Sequence, residues 1–500
     1  MIPRAVFSLF LLAVALPADE PGVLTPAPSP KPKINGAKVY GARPGHPFLY
    51  AIPATGARPM TFSAQGLPRG LKLDARTGQI AGAVDQKGDY NVTLRAKNAL
   101  GSAERKFRIV VGDQLALTPP MGWSSWYSAL TEITDAMVRA ETDAMVSSGM
   151  SQHGYAYVNI DDGWNIKLGS TDPVVGGPPR DEQGNLRPNK NFPDMKALAG
   201  YVHAKGLKIG IYIGPGPRTC GGYEASYGHE EQDARLFAAW GFDFLKYDLC
   251  SYRTLMKDTK SPEENKKPYA LMGGILRKLD RDFVFNLCQY GLGNVWEWGR
   301  DVGGNFWRTA DDVGGAWANV TKFGFGQAGM EKWAGPGGWN DPDNINIGYL
   351  IGRRGQPFAP TPLTHNEQYT WMSLWSLMSA PLVFGGDMTK LDDFTLNVLT
   401  NDEVNDIDQD TLGKQGAPVT MTGDLVVWAK DLADGSKAVG LFNRGEQDAD
   451  IAARWSDLSI QGRQVVRDLW RQQDVGRFDN VFTAKVGRHG AMLVKITPVR

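Results

Sequence analysis

Short apolar segments that end in polar or glycine residues recur eight times between Leu117 and Asp410, separated by helical patterns. Tyr157–Ile160 precedes Asp161, for example, and Phe242–Tyr247 precedes Asp248. Strands that alternate with helices over this length are typical of a (β/α)₈ TIM barrel, which usually takes about 250 residues. A doubly wound open sheet is the alternative, although no glycine-rich dinucleotide loop follows any of these strands. The other candidate strands are Met121–Trp123, Ile209–Ile213, Phe283–Leu287, Phe306–Arg308, Gly338–Asn340 and Pro381–Phe384, and helices are expected at Asp233–Trp240 and Met372–Met378.

The pattern changes on both sides of this region. Residues 34–113 contain short alternating or β-branched segments separated by Gly and Pro turns, which predicts an all-β sandwich. Residues 411–500 return to short alternating strands, which predicts a C-terminal antiparallel β-sandwich. The chain is therefore expected to be multidomain, with the barrel at 117–410 between the two sandwiches. The segments behind these predictions are Leu71–Leu73, Tyr90–Leu94, Phe107–Val111, Leu425–Trp428 and Ala491–Val494.

The first residues have the pattern of an export signal. Arg4 is followed by the apolar run Ala5–Leu16 and by Ala18, a candidate cleavage point. We expect a signal peptide at 1–18, a Pro-rich linker at 19–33, and secretion or periplasmic export, with a signal anchor as the alternative. The apolar run is too short to span a bilayer, and no later run approaches that length.

The charge balance argues against two classes of partner. Lys plus Arg and Asp plus Glu number 54 each, so the chain has no basic excess of the kind that nucleic acids or anionic membranes attract.

Three cysteines are present, Cys220, Cys250 and Cys288, so in an oxidising compartment one pair could form a disulfide and one thiol would remain. The sequence indicates no oligomeric state.

Charged and aromatic side chains follow several of the predicted barrel strands. The carboxyl ends of barrel strands form the active site in this fold, so we expect these side chains to meet there. A single aspartate after a strand is more often a helix N-cap than a catalyst. Several such aspartates together with two cations are harder to explain as caps. The residues concerned are Trp126, Asp161, Asp162, Lys246, Asp248, Arg308, Asp312 and Asp341.

Metal, Schiff-base and glycosidase chemistries compete for such a set of residues. Zinc chemistry would need histidines, and none of the six falls at a predicted strand end. A magnesium site of carboxylates is conceivable, but it leaves Trp126 and Arg308 without a role. A Schiff base at Lys246 is disfavoured because Asp248, on the same face of the strand, keeps the amine protonated. Glycoside hydrolysis uses every part, with two carboxylates, polar groups for hydroxyls and an aromatic wall.

The stretches TPPMGWSSW, YVNIDDGW, FDFLKYDLC, WRTADD and GPGGWNDPD occur in one order along the barrel. They resemble glycoside hydrolase family 27, the melibiase or α-galactosidase group, and the resemblance extends from about Leu117 to the C-terminus. The stretch GLPRGLKLDARTGQIAG resembles the immunoglobulin-like modules attached to many bacterial secreted enzymes, for which a spacer or docking role is expected.

The resemblance implies a retaining double displacement on galactosides that needs no cofactor and no metal. It makes Asp248 the nucleophile and Asp312, four residues after the arginine of WRTADD, the acid/base. Asp311 is the competing neighbour, and adjacent strand residues face opposite ways. Asp161 and Asp162 would bind the 4- and 6-hydroxyls, Lys246 the 3-hydroxyl and Arg308 the 2-hydroxyl region. The remaining implied roles are a wall at Trp126, the floor at Tyr212, supports at Asp341 and Asp343, and a disulfide between Cys220 and Cys250.

Two positions depart from the family pattern. Gly163 stands where the family usually has a cysteine bonded to the first loop, so that loop is expected to be held differently. Gln289 stands where well-known α-galactosidases use a glutamate for the 2-hydroxyl, and its amide can still hydrogen-bond there. The alternatives are therefore α-N-acetylgalactosaminidase, β-L-arabinopyranosidase or isomalto-dextranase activity, or an inactive carbohydrate-binding protein.

Overall fold

The computed structural model describes residues 22–351 and 358–499. The signal peptide expected at 1–18 and the first linker residues, 19–21, lie outside these ranges. None of the helices within the two ranges combines the length and the apolar character needed to cross a bilayer.

The N-terminal domain is a β-sandwich. A four-stranded sheet in the order β2-β9-β8-β5 faces a three-stranded sheet in the order β3-β7-β6, and β1 pairs with β4. Tyr50 stacks on Phe107 between the two sheets, with ring centroids 4.5 Å apart. The alternation of buried and exposed side chains in the long strands fits one face on a core. The strands are β1 Lys33–Ile34, β2 Val39–Ala42, β3 Phe48–Ala51, β4 Ala54–Thr55, β5 Thr61–Gln65, β6 Leu71–Leu73, β7 Gln79–Gly82, β8 Gly88–Asn98 and β9 Gly101–Val111.

The middle of the chain forms the predicted barrel. Eight parallel strands pair in the order β16-β15-β14-β13-β12-β11-β10-β19. The ends of this sheet meet where the Ile345 N–H donates to the Val383 carbonyl at 2.8 Å and the Gly385 N–H donates to the Ile345 carbonyl at 3.0 Å. Each strand expected from the sequence is present, within two residues at either end. The strands are β10 Met121–Ser124, β11 Tyr157–Asn159, β12 Lys208–Ile213, β13 Phe244–Asp248, β14 Val284–Cys288, β15 Phe306–Arg308, β16 Trp339–Asp341, the outlying pair β17 Tyr349–Leu350 and β18 Ala359–Pro360, and β19 Leu382–Phe384.

Helices surround the barrel, and several of them begin at a side-chain N-cap. Thr364 and Glu367 form a reciprocal capping box at the start of α8, and every residue from Glu367 to Met378 is buried. This burial follows from the position of α8 between the barrel and the C-terminal sheet. The helices are α1 Trp126–Ala129, α2 Asp135–Ser147, α3 Met195–Ala204, α4 Glu230–Trp240, α5 Pro262–Leu276, α6 Val295–Trp298, α7 Trp317–Gly324, α8 His365–Met378, α9 Asp393–Leu399, α10 Asp402–Asp408 and α11 Trp455–Leu458.

The C-terminal domain contains an antiparallel sheet of six strands in the order β20-β21-β22-β27-β24-β25, beside the pair β23-β26. Trp428 and Phe442 belong to the barrel-side core, whereas Val427 and Leu441 pack in a separate core with Phe482. Neighbouring residues of one strand therefore serve two opposite faces. The strands are β20 Ala417–Thr422, β21 Leu425–Asp431, β22 Lys437–Asn443, β23 Ala449–Arg454, β24 Arg463–Asp468, β25 Gln473–Asp479, β26 Val481–Val486 and β27 Ala491–Pro498.

The N-terminal sandwich contacts the barrel at the amino ends of its strands. Gln79 donates to the carbonyl of Ala204 at 3.1 Å, just before β12, and Asn35 donates to the carbonyl of Gln152 at 3.0 Å, before β11. Arg43 binds Asp282, just before β14, through Nε at 2.7 Å. The carboxyl ends of the strands are therefore left to the loops that form the site.

Candidate active site

A cavity of about 690 Å³ opens at the carboxyl ends of the barrel strands. Parallel strands bring their carboxyl ends to one rim, so side chains far apart in sequence meet there. Most of the predicted site residues line this cavity, namely Trp126, Asp161, Tyr212, Lys246, Asp248, Arg308, Asp312 and Asp343.

Asp248 is the last residue of β13 and is 5% exposed. The Tyr212 hydroxyl donates to its Oδ2 at 3.2 Å, and the Tyr290 hydroxyl donates to its Oδ1 at 2.6 Å. Burial raises the pKa of Asp248, while the positive charge of Lys246 and the Tyr290 hydrogen bond oppose part of that rise. The carboxylate is thus desolvated but has hydrogen bonds to both oxygens, which suits a positioned nucleophile.

Lys246 lies two residues before Asp248, on the same face of β13. Its Nζ donates to Oδ2 of Asp161 at 2.8 Å. Burial alone would lower the pKa of Lys246, but the carboxylates of Asp161 and Asp248 hold it well above the usual value. Lys246 is therefore a fixed cation, which disfavours the amine nucleophile considered for it above.

Arg308 connects two carboxylates at the cavity wall. Its side chain is 3% exposed, and its guanidinium nitrogens lie 3.2 Å from Oδ1 of Asp312 and 3.2 Å from Oδ1 of Asp343. The Asp312 side chain is 34% exposed, so it reaches the accessible part of the cavity. Burial raises the pKa of Asp343 against the opposing charge of Arg308. Asp312 is thus held by a buried cation while remaining accessible to a ligand.

The expectation that Asp311 and Asp312 alternate along a strand is wrong. β15 ends at Arg308, so the two aspartates lie in the loop beyond it, where the alternation of strand side chains does not apply. Both line the cavity, but Asp311 is exposed, and its Oδ1 accepts the backbone N–H of Asp312 at 2.8 Å. The two side chains are distinguished by the ion pair of Asp312 with Arg308.

Gln289 lies outside the cavity wall, unlike the sequence expectation. Its side chain is completely buried, and neither amide atom has a hydrogen-bond partner among the described residues. The next residue, Tyr290, lines the cavity instead and has a φ of +66°. Tyr290 was not predicted from the sequence. An aromatic residue two positions after the end of β14 was the signal that could have identified it.

Asp162 and Asp341 also lie behind the cavity wall. Asp162 is 1% exposed and accepts the Gly221 N–H at 2.6 Å, and burial raises its pKa to about 7. Asp341 accepts the Asp343 N–H at 2.8 Å, and burial raises its pKa to about 6. The position of Asp341 fits a supporting side chain, whereas Asp162 was expected to touch a ligand.

The disulfide between Cys220 and Cys250 is present, with the Cα atoms 5.1 Å apart. It joins the loops after β12 and β13, two residues from Asp248, as the family resemblance implied. Cys288 is a free, buried thiol. Cys220, Asp248 and Cys250 are the one grouping of potential metal ligands found in the described ranges, and because both sulfurs are bonded to each other it is not a metal site.

The first loop of the barrel packs directly on Gly163. This glycine has a φ of +110°, and a Cβ there would lie 2.6 Å from the Thr131 carbonyl oxygen. Thr131 and Leu130 line the cavity, so the contact fixes part of its wall. Close backbone packing therefore takes the place of the disulfide expected at this position in the family.

The family model described as alpha galactosidase A matches residues 118–410, more than half of the chain. The chain belongs to this family. A model for the alpha galactosidase C-terminal beta sandwich domain matches residues 422–496, and an Ig-domain model matches residues 32–112.

Relatives of this α-galactosidase family member agree with the match. The alpha-galactosidase of Cyamopsis tetragonoloba is 38% identical over 396 residues, which cover 78% of this chain and 89% of that protein. A Bacteroides fragilis structure provisionally named alpha-galactosidase is 35% identical with a TM-score of 0.85, covering 94% and 99% of the two chains. A GH27 β-L-arabinopyranosidase from Geobacillus stearothermophilus is 26% identical with a TM-score of 0.65, covering 77% and 97%.

Proposed function

We propose that this protein is a retaining exo-α-galactosidase that releases terminal α-linked galactose, with Asp248 as nucleophile and Asp312 as acid/base. One observation carries the proposal: a buried carboxylate held by two phenols and an accessible carboxylate held by Arg308 line the same cavity. The named activity of the curated relatives supports the substrate class.

The reaction proceeds in two displacements. Asp248 attacks the anomeric carbon and forms an ester as the bond to the leaving oxygen breaks, and the proton of Asp312 goes to that oxygen. Asp312 then takes a proton from water, whose oxygen bonds to the anomeric carbon while the Asp248 ester bond breaks. The two inversions together retain the anomeric configuration.

The sugar-binding roles follow from the cavity wall. Asp161 and Lys246, already paired with each other, receive the 4- and 3-hydroxyls, and Trp126 stacks on the apolar sugar face. Arg308 borders the 2-hydroxyl, and Tyr212 forms the floor. Asp162 acts by holding the backbone at Gly221, which itself lines the cavity.

A panel of p-nitrophenyl glycosides tests the proposal. Cleavage should be fastest for α-galactose and slower for α-GalNAc, β-L-arabinopyranose and α-glucose, and proton NMR should show α-galactose as the first product. Asp248→Asn should abolish cleavage while the thermal unfolding midpoint stays close to that of the unchanged enzyme. Faster cleavage of another glycoside would reassign the substrate, and galactose binding without any cleavage would leave only a carbohydrate-binding protein.

We also propose that the chain is exported after removal of residues 1–18. The signal pattern of the sequence and the disulfide, which forms in oxidising compartments, support this. Mass spectrometry of protein from the periplasm or medium should show a chain that begins at Asp19. Recovery of an uncleaved chain from membranes would favour a signal anchor.

A further inference from the structure

Tyr290 lies where three parts of the candidate site meet. It follows β14, yet its hydroxyl reaches Asp248 on β13 and lies 3.6 Å from Sγ of Cys220. The guanidinium carbon of Arg308 lies 5.8 Å from the centre of its ring, and that of Arg253 lies 5.5 Å from it. The ring is thus fixed from several directions, which sets the direction of its hydroxyl.

The two phenols divide the oxygens of Asp248 between them. Tyr290 donates to Oδ1 at 2.6 Å and Tyr212 donates to Oδ2 at 3.2 Å. Burial raises the pKa of Tyr290, and the charge of Asp248 raises it further, so the phenol keeps its proton to donate. A shorter hydrogen bond to a charged acceptor is the stronger one, so Oδ1 is the more firmly held oxygen.

We infer that Tyr290 is a positioning residue, an inference that rests on the function proposed above. Its hydroxyl holds Oδ1 of Asp248 throughout the reaction and leaves Oδ2 to attack. In the first displacement the bond from Oδ2 to the anomeric carbon forms and the bond to the leaving oxygen breaks. Oδ1 becomes the ester carbonyl oxygen and still accepts from Tyr290. In the second displacement the ester bond at Oδ2 breaks and Asp248 leaves as a carboxylate.

The hydroxyl of Tyr290 favours the ionised form of Asp248 over the neutral acid and over the ester, because hydrogen bonds to charged acceptors are stronger. Its loss therefore raises the pKa of the nucleophile and makes it a poorer leaving group. The other titratable or charged groups that act on Asp248 from the surrounding strands and loops are Lys246, Tyr212, Asp161, Asp162, Tyr269, Cys288 and Asp312.

The pH profile of kcat/KM separates this role from a structural one. The nucleophile must be ionised, so activity is lost as pH falls through its pKa. Tyr290→Phe should move the acidic limb to higher pH by about one unit, in line with the value of a hydrogen bond to a charged group. Tyr212→Phe removes the longer bond and should move the limb less. Tyr227→Phe, a change at a 52% exposed tyrosine, should leave it in place.

A second readout uses a dinitrophenyl galactoside, whose good leaving group makes the second displacement limiting. Tyr290→Phe should then lower kcat while the burst of released phenol remains. An acidic limb of Tyr290→Phe that coincides with that of the unchanged enzyme, or a larger shift in Tyr212→Phe, would overturn the inference. Such results leave the proposed function intact, because that depends on cleavage by the unchanged enzyme and its loss in Asp248→Asn.

Discussion

The two candidate catalytic aspartates occupy different surroundings. Asp248 is 5% exposed and accepts hydrogen bonds at both oxygens, whereas the Asp312 side chain is 34% exposed and is paired with Arg308. Different surroundings are how an active site gives two carboxyl groups different tasks. The buried Asp248 carboxylate, held by hydrogen bonds, suits attack on carbon. The accessible Asp312 carboxyl group suits exchange of protons with the leaving group and with water.

Asp312→Ala should lower kcat/KM for an unactivated galactoside by about 10²–10⁴-fold, the usual value of general acid catalysis. The loss should be smaller for a dinitrophenyl galactoside, whose leaving group needs little protonation. Asp311→Ala is the matched control, since it removes a neighbouring exposed carboxyl group that is not paired with Arg308. Equal losses for the two variants, measured by steady-state kinetics, would contradict the assignment of Asp312.

At the scale of the elements, the barrel could be predicted because its strands are buried on both sides. Such strands are short apolar runs, and the residue at which each run stops marks the rim, as at Asp248 and Arg308. The conformations of the residues that follow the strand ends were not predictable from the sequence. The φ of +66° at Tyr290 turns its side chain into the cavity and leaves Gln289 buried behind it, and such a conformation depends on tertiary contacts rather than on local pattern.

The loop contact at Gly163 gives a prediction at the same scale. Gly163→Ala should lower the free energy of unfolding by about 3 kcal/mol, because the new methyl group meets the Thr131 backbone and the positive φ is strained. It should also lower kcat/KM, since Thr131 lines the cavity. Chemical denaturation measures the change in the free energy of unfolding, and steady-state kinetics measure the change in kcat/KM.

Gly169→Ala is the control for backbone strain alone. Gly169 has a φ of +73° with nothing within 4 Å of the added Cβ, so we expect a loss of about 1 kcal/mol and unchanged activity. If the two variants lose equal stability, the contact with Thr131 does not hold the first loop.

At the scale of the whole molecule, the N-terminal sandwich is anchored on the barrel. The Arg43 guanidinium donates to Asp282 and to the carbonyls of Leu276, Arg277 and Arg281, at distances from 2.6 to 3.4 Å. The sequence indicated a spacer or docking module but gave no signal for this anchor. Arg43 and Asp282 are 239 residues apart and neither belongs to a recognisable motif.

Arg43→Ala should lower the free energy of unfolding by about 2 kcal/mol, because it removes the guanidinium that donates to several carbonyls and pairs with Asp282. Asp282 keeps its contacts with the Arg43 backbone N–H and with His46. KM and kcat should stay unchanged, since the contact lies at the end of the barrel opposite the cavity. Arg76→Ala, at a 91% exposed arginine of the same domain, is the control and should change neither stability nor activity. A large change in KM for Arg43→Ala would contradict this separation.

The contact through Arg43 also fixes the N-terminal domain at one end of the barrel. The sandwich covers the amino ends of the strands, so the cavity opens on the opposite side. If the enzyme were immobilised through its N-terminal domain, the cavity mouth would point away from the support and towards dissolved galactosides. A ligand bound to that domain would lie the full height of the barrel away from the bond being cleaved, so such binding could hold the enzyme near a polymer without occupying its active site.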